Sequence, residues 1–119
     1  MKAAVLGSRT IVSYPTVERI LKDYANLDSI ATSHASGVDG NAVKYAYRHL
    51  RQPPHVFELA YSPERNRDII DSADMLIAIW DSESIGTKES IDYAVSKKKP
   101  VHVWSVTETS VGLKIFYEH

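Results

Sequence analysis

Met75-Leu76-Ile77-Ala78-Ile79-Trp80, followed by Asp81-Ser82-Glu83-Ser84-Ile85-Gly86-Thr87, is the stretch whose reading decides the fold. The first six residues, entered through Asp74, form the most apolar run in the chain and read as a buried, central strand. Residues 87–97 read as a helix burying Ile91, Ala94 and Val95. A strand that passes through Gly86-Thr87 into a helix leaves the first helical amides without internal partners. With the positive end of the helix dipole, those amides suit an anion such as phosphate.

The pattern repeats on either side. Residues 2–6 form a short apolar run ended by Gly7-Ser8-Arg9. Val17, Ile20, Leu21 and Tyr24 then fall on one helical face, with Ser13 placed to cap and Pro15 suited to the first turn. Residues 29–32 read as a second strand, and the loop Ser33-His34-Ala35-Ser36-Gly37-Val38-Asp39 leads into a helix over 38–50. Gln52-Pro53-Pro54 ends that helix before a strand at 55–59. Ser62-Pro63 opens a helix reaching 72. Val101–Val106 is the last strand of the alternation. In the tail, Val111, Leu113, Ile115 and Tyr117 alternate, which reads as an extra strand. Strand and helix in turn predict an α/β, Rossmann-like three-layer sandwich with a mainly parallel five-stranded sheet and a possible sixth strand. Ligands of such sheets sit beyond the carboxyl ends of the strands, where the strand order reverses.

Composition narrows the classes. The 119 residues make one domain, expected over 1–106, with 107–119 as a tail that forms an edge strand or a dimer contact. A homo-oligomer is therefore expected. There is no cysteine, so no thiol or disulfide chemistry enters. Fourteen basic and fifteen acidic residues give a net charge of −1, which argues against an extended nucleic-acid surface. Lys97-Lys98-Lys99 reads as a solvated helix terminus. No leader-like or membrane-length apolar segment stands out, so a cytoplasmic protein is expected. The five histidines lack ligand spacing, and neither Gly-x-x-x-x-Gly-Lys-Ser/Thr nor Gly-x-Gly-x-x-Gly occurs. No metal and no cofactor are expected.

The candidate site gathers from four segments. Gly7 allows close backbone approach, Ser8 offers a hydroxyl and Arg9 a planar fork of donors for phosphate. Ser36 and Asp39 read either as helix caps or as ligand contacts, Asp39 toward a ribose hydroxyl; Gly37 lies between them, and His34 stands at the site edge with the capacity to titrate near neutrality. Arg65 and Asn66 lie in the first turn of a helix whose dipole disfavours cations, which an adjacent anion would offset. Trp80 reads either as a base-stacking ring or as a core cap; Asp81, Ser84, Gly86 and Thr87 complete the phosphate-facing loop. Glu83, Glu89 and Asp81 are the carboxylates available should the site cleave a bond.

Taken together, Gly7-Ser8-Arg9, Gly37-Val38-Asp39, Arg65-Asn66-Arg67-Asp68-Ile69, Ala73-Asp74 and Trp80-Asp81-x-x-Ser84-x-Gly86-Thr87 resemble the SLOG superfamily. These are small Rossmann-like proteins that include YspA/YpsA-type, DprA and LOG-related members. The resemblance spans roughly residues 2–106 and implies binding or sensing of a nucleotide or nucleotide-derived small molecule, with Gly86-Thr87 at the family's phosphate position. The alternative it implies is an N-glycosidic hydrolase, phosphoribohydrolase-like, acting on nucleoside monophosphates. Against that alternative, Ser90 stands where the hydrolase branch has its glutamate, and Glu89 is one residue early, about 100° away around a helix. Ser82-Glu83-Ser84 replaces the branch's Pro-Gly-Gly, and Ser33-His34 replaces a glycine pair common in relatives.

Overall fold

The computed structural model describes residues 1–117; Glu118 and His119, the end of the tail segment, lie outside the described residues. In chain order the elements are β1 (Lys2–Gly7), α1 (Tyr14–Leu21), β2 (Ser29–Ser33), α2 (Val38–His49), β3 (His55–Phe57), α3 (Pro63–Asp71), β4 (Met75–Trp80), α4 (Ile85–Ser96), β5 (Val101–Val106) and β6 (Val111–Phe116). The strands form a single sheet in the order β3-β2-β1-β4-β5-β6. Five are parallel, and β6 runs antiparallel to β5, from Val106 opposite Val111 to Val101 opposite Phe116. The architecture is the Rossmann-like three-layer sandwich, with the sixth strand at the free edge.

Strand periodicity builds the two cores. Met75, Ile77 and Ile79 of β4 join Ala3 and Val5 of β1 on the face covered by Val17, Ile20 and Leu21 of α1 and Val38, Ala42 and Tyr45 of α2. Leu76 and Ala78, with Ala4 and Leu6, face Ile69 and Ile70 of α3 and Ile91 and Ala94 of α4. A side chain such as Ile77, fully buried, contributes about 1.5–3 kcal/mol by leaving water. This is why β4 contains no polar residue.

The helix boundaries follow local chemistry. Ser13 caps α1 by accepting from Thr16 N, and Ser62 caps α3 by accepting from Arg65 N at 3.0 Å, each with proline in the first turn. α4 starts at Ile85, two residues before the expected 87, because Ser84 is its N-cap and accepts from Thr87 N at 3.4 Å. Gly86 and Thr87 thus belong to the first helical turn. β3 stops at Phe57 instead of 59, and the Leu59 carbonyl turns away to accept from Arg65. At α2 neither expected cap acts. Gly37 is the N-cap without a side-chain bond, Ser36 is exposed, and Asp39 lies within the helix.

The chain steps outward from β1 through β2 to β3, then crosses back to place β4 against the other side of β1. The strand order reverses between β1 and β4. The loops leaving their carboxyl ends diverge to opposite faces, and a crevice opens between them.

Candidate functional site

That crevice is a cleft of about 660 Å³ lined by β1 and β4 loop residues, the first turns of α3 and α4, and Tyr61. Its floor is β1. A Cβ at Gly7 would overlap the Ile79 carbonyl and lie 2.6 Å from the Val38 side chain, so the α2 terminus packs against β1 only because residue 7 is glycine. The Gly7 amide then donates to Asp39 Oδ1 at 3.0 Å, and Ser33 Oγ donates to Asp39 Oδ2 at 2.6 Å. Burial pushes the Asp39 carboxyl up to about 6, although the hydrogen bonds from Ser33 and Gly7 and the charges of Arg65 and Arg9 pull the other way.

The opposite wall is the loop between β4 and α4. Asp81 Oδ1 accepts from the amides of Glu83 (2.9 Å) and Ser84 (2.8 Å), while Oδ2 accepts from Thr10 Oγ1 at 2.6 Å. This bracing holds Ser82 at φ 68°, a left-handed conformation uncommon for a non-glycine residue. Partial burial works to raise the Asp81 pKa. The hydrogen bonds from Thr10, Glu83, Ser84 and Ser8 outweigh it and hold the carboxyl at about 2. Asp81 is therefore an anion through the physiological range, with its oxygens committed to the loop. Past it, Ile85 and Gly86, the first two residues of α4, line the cleft, and helix geometry leaves their amides without intrahelical acceptors. Arg9 lies on the rim.

Of the residues singled out from sequence, Gly7, Arg9, Asp39, Arg65, Asn66, Asp81, Glu83, Ser84, Gly86 and Thr87 line this one cleft. Six others do not. Ser8 turns its hydroxyl to accept from the Asp81 amide at 3.0 Å, tying β1 to β4 beneath the loops. Gly37 is packed under Ser8 and Arg9 at φ 80°. His34 is exposed beside Glu58, with 3.5 Å between Nε2 and Oε1, and Ser36 faces solvent. Trp80 donates from Nε1 to the Ser84 carbonyl at 3.0 Å and packs, partly buried, on the α3/α4 core. Glu89 lies one helical step off, in a separate depression between α3 and α4, where it accepts from the Tyr61 hydroxyl at 3.3 Å. Thr10 and Tyr61 were not singled out from the sequence, and Ser90 was named only as the residue in place of a glutamate. Ser90 is four residues past Gly86, on the same helical face, and that spacing was the available signal. Tyr61 carried none, because its ring reaches Gly86 only through the tertiary fold.

The fold and the crevice at the strand-order reversal define the class: a Rossmann-like α/β domain with an open cleft at the carboxyl edge of its sheet. No protein-family model matches the chain, and no curated protein matches it. Among solved structures it is similar to DNA processing protein A from Helicobacter pylori, described for its unique single-stranded DNA binding mode. The TM-score is 0.63 at 20% sequence identity, over 93% of this chain and 68% of that one. The likeness is one of fold. It corrects one expectation: the absence of an extended nucleic-acid surface does not follow from a net charge of −1, since a protein of this fold binds single-stranded DNA. Net charge is a sum over the whole chain, whereas strand binding depends on a local groove of positive potential and stacking surfaces. Among the described residues, no helix is long and apolar enough to cross a membrane, and no group of three or more potential ligands is placed to hold a metal ion.

Proposed function

We propose that this chain is a SLOG-type domain that binds a nucleotide or nucleotide-derived ligand, with a phosphate of that ligand at the first turn of α4. The observation that carries the reading is the placement of the open Ile85 and Gly86 amides in a cleft at the β1/β4 reversal, with Arg9 on its rim. A phosphate there lies at the positive end of the α4 dipole, beside backbone donors the helix leaves unpaired. The cleft has the volume of an ordinary small-molecule site.

The test is calorimetric titration with a panel of nucleoside monophosphates, the matching nucleosides and a short single-stranded oligonucleotide, alongside native mass spectrometry of freshly purified protein. Binding that depends on the phosphate supports the reading; equal or no binding of phosphorylated and unphosphorylated partners overturns it. The oligonucleotide arm distinguishes a free nucleotide from a nucleotide within a strand.

Binding is favoured over glycosidic cleavage by the position of the carboxylates. Glu89 lies outside the cleft, and the oxygens of Asp81 and Asp39 are engaged by backbone and hydroxyl donors, leaving Glu83 at the rim. Release of free base from a nucleoside monophosphate, abolished in Glu83→Gln, would reverse that preference. For the tail, the reading as a dimer contact is supported by Leu113 and Ile115, both more than two-fifths exposed on the edge strand. The same number of chains per particle before and after deletion of residues 107–119 would refute it.

A further inference from the structure

Arg65 is a buried cation for which the fold supplies neutral acceptors and the face of the Tyr61 ring, 5.6 Å from Cζ, but no paired carboxylate. It is 6% exposed, yet lines the cleft from the third position of α3, where the helix dipole also disfavours positive charge. Its Nε and Nη2 both donate to Asn66 Oδ1, at 3.2 and 2.9 Å, and Nη1 donates to the Leu59 carbonyl at 3.1 Å. Every one of these acceptors is neutral. Among the described residues, no carboxylate lies within 4 Å of the guanidinium. Asp39 feels its charge across the cleft, but the Asp39 oxygens accept from Gly7 and Ser33.

Two guanidinium N–H groups converge on the one Asn66 Oδ1, on the edge of the guanidinium that a carboxylate ordinarily takes with two oxygens. Here an amide occupies that place. The amide is itself fixed: Asn66 Nδ2 donates to Ser90 Oγ at 3.2 Å, and Ser90 Oγ donates to the Gly86 carbonyl at 3.1 Å. The relay therefore connects the guanidinium to the turn of α4 that carries the open amides. An arginine has five N–H donors, so one on Nη1 and one on Nη2 remain. A buried charge is costly unless an opposite charge completes its surroundings.

We propose that Asn66 is a positioning residue for specificity: it orients Arg65 without cancelling its charge, so that the counter-ion is the anionic group of the ligand, a phosphate ester. This rests on the nucleotide-binding reading above and adds the second anchor of the anion. An aspartate at position 66 would keep the acceptor toward Arg65 and supply the missing counter-charge internally, while losing the Nδ2 donor to Ser90, whose hydroxyl would then have to donate to the carboxylate.

The decisive comparison is Asn66→Asp against the natural chain, with adenosine 5′-monophosphate and adenosine as probes and a thermal melt as the check on folding. The melt is expected to hold or rise. Affinity for the monophosphate is expected to fall about 10- to 100-fold, the span of a charge-assisted hydrogen bond, while adenosine is unaffected. Undiminished monophosphate affinity in a folded Asn66→Asp overturns the proposal. A second measurement needs no variant: the Arg65 Nε–H resonance of the natural chain is followed while inorganic phosphate is added. Saturable movement together with the Ile85 and Gly86 amides supports the proposal. Movement of those amides alone overturns it and leaves the nucleotide reading standing; no movement at either place overturns both.

Discussion

Replacing Asp39 by asparagine should flatten the dependence of stability on pH. The carboxyl is 3% exposed and titrates at about 6 in the folded chain, against 3.8 for the unreacted group. Because the folded value is the higher one, the folded state keeps a proton that the unfolded state has released between these values. Stability from this group is therefore fully present below about pH 4 and is lost as pH rises through 6. The rise of about two units corresponds to about 3 kcal/mol at ~1.4 kcal/mol per unit, complete somewhat above neutrality. Asparagine keeps an oxygen for the Gly7 amide but cannot ionise, and Ser33 Oγ already accepts from the Ala35 amide at 3.1 Å, so it has a geometry for accepting. Urea unfolding of both chains at a series of pH values from about 4 to about 8 gives the difference directly, and every other titrating group cancels in it. Over that range the difference should move by about 2.5 kcal/mol in favour of Asp39→Asn as pH rises. A constant difference across that range would mean that the carboxylate is not desolvated as its burial indicates, and the electrostatic account of the cleft floor would be refuted.

Gly37→Ala should cost about 3 kcal/mol or more, since φ 80° disfavours a Cβ and the added carbon would lie 2.5 Å from the Ser8 carbonyl and 2.6 Å from Arg9 Cα; denaturant unfolding checks it, and a loss under about 1 kcal/mol would contradict the close approach. Ser62→Ala should cost about 1 kcal/mol by leaving the Arg65 amide without its cap; Ser62→Asp should not, and equal melts for all three chains would remove the capping argument.

The elements whose signals are local were legible without tertiary information. β4 announced itself by six apolar residues, α1 by the spacing of Val17, Ile20 and Leu21, and the starts of α1 and α3 by Ser-x-Pro and Ser-Pro caps. The alternation in the tail pointed to β6, which pairs with β5. At α4 the start slipped from 87 to Ile85, and at α2, which begins at Val38 as expected, the cap is Gly37 instead of a side chain. A glycine fits a turn, a cap or a first helical turn equally well, and only its neighbours' hydrogen bonds decide. The site residues divided for a related reason. Glycines, Arg9 and Asp81 at strand ends reached the cleft because strand ends are where such clefts form, while His34 and Ser36 shared a loop with the site and turned outward.

The sequence by itself determined the alternation of strand and helix, the parallel sheet, and an edge rich in glycine and hydroxyl residues. These follow from periods and caps that operate over a few neighbouring positions. Only the tertiary structure decided that β4 returns to lie beside β1, so that residues 7, 39, 65, 81 and 86 share one cleft. It also decided that Arg65 rests on an amide and Asp39 is cut off from water. Burial and charge pairing depend on groups far apart in the chain, and no local pattern fixes which of them meet.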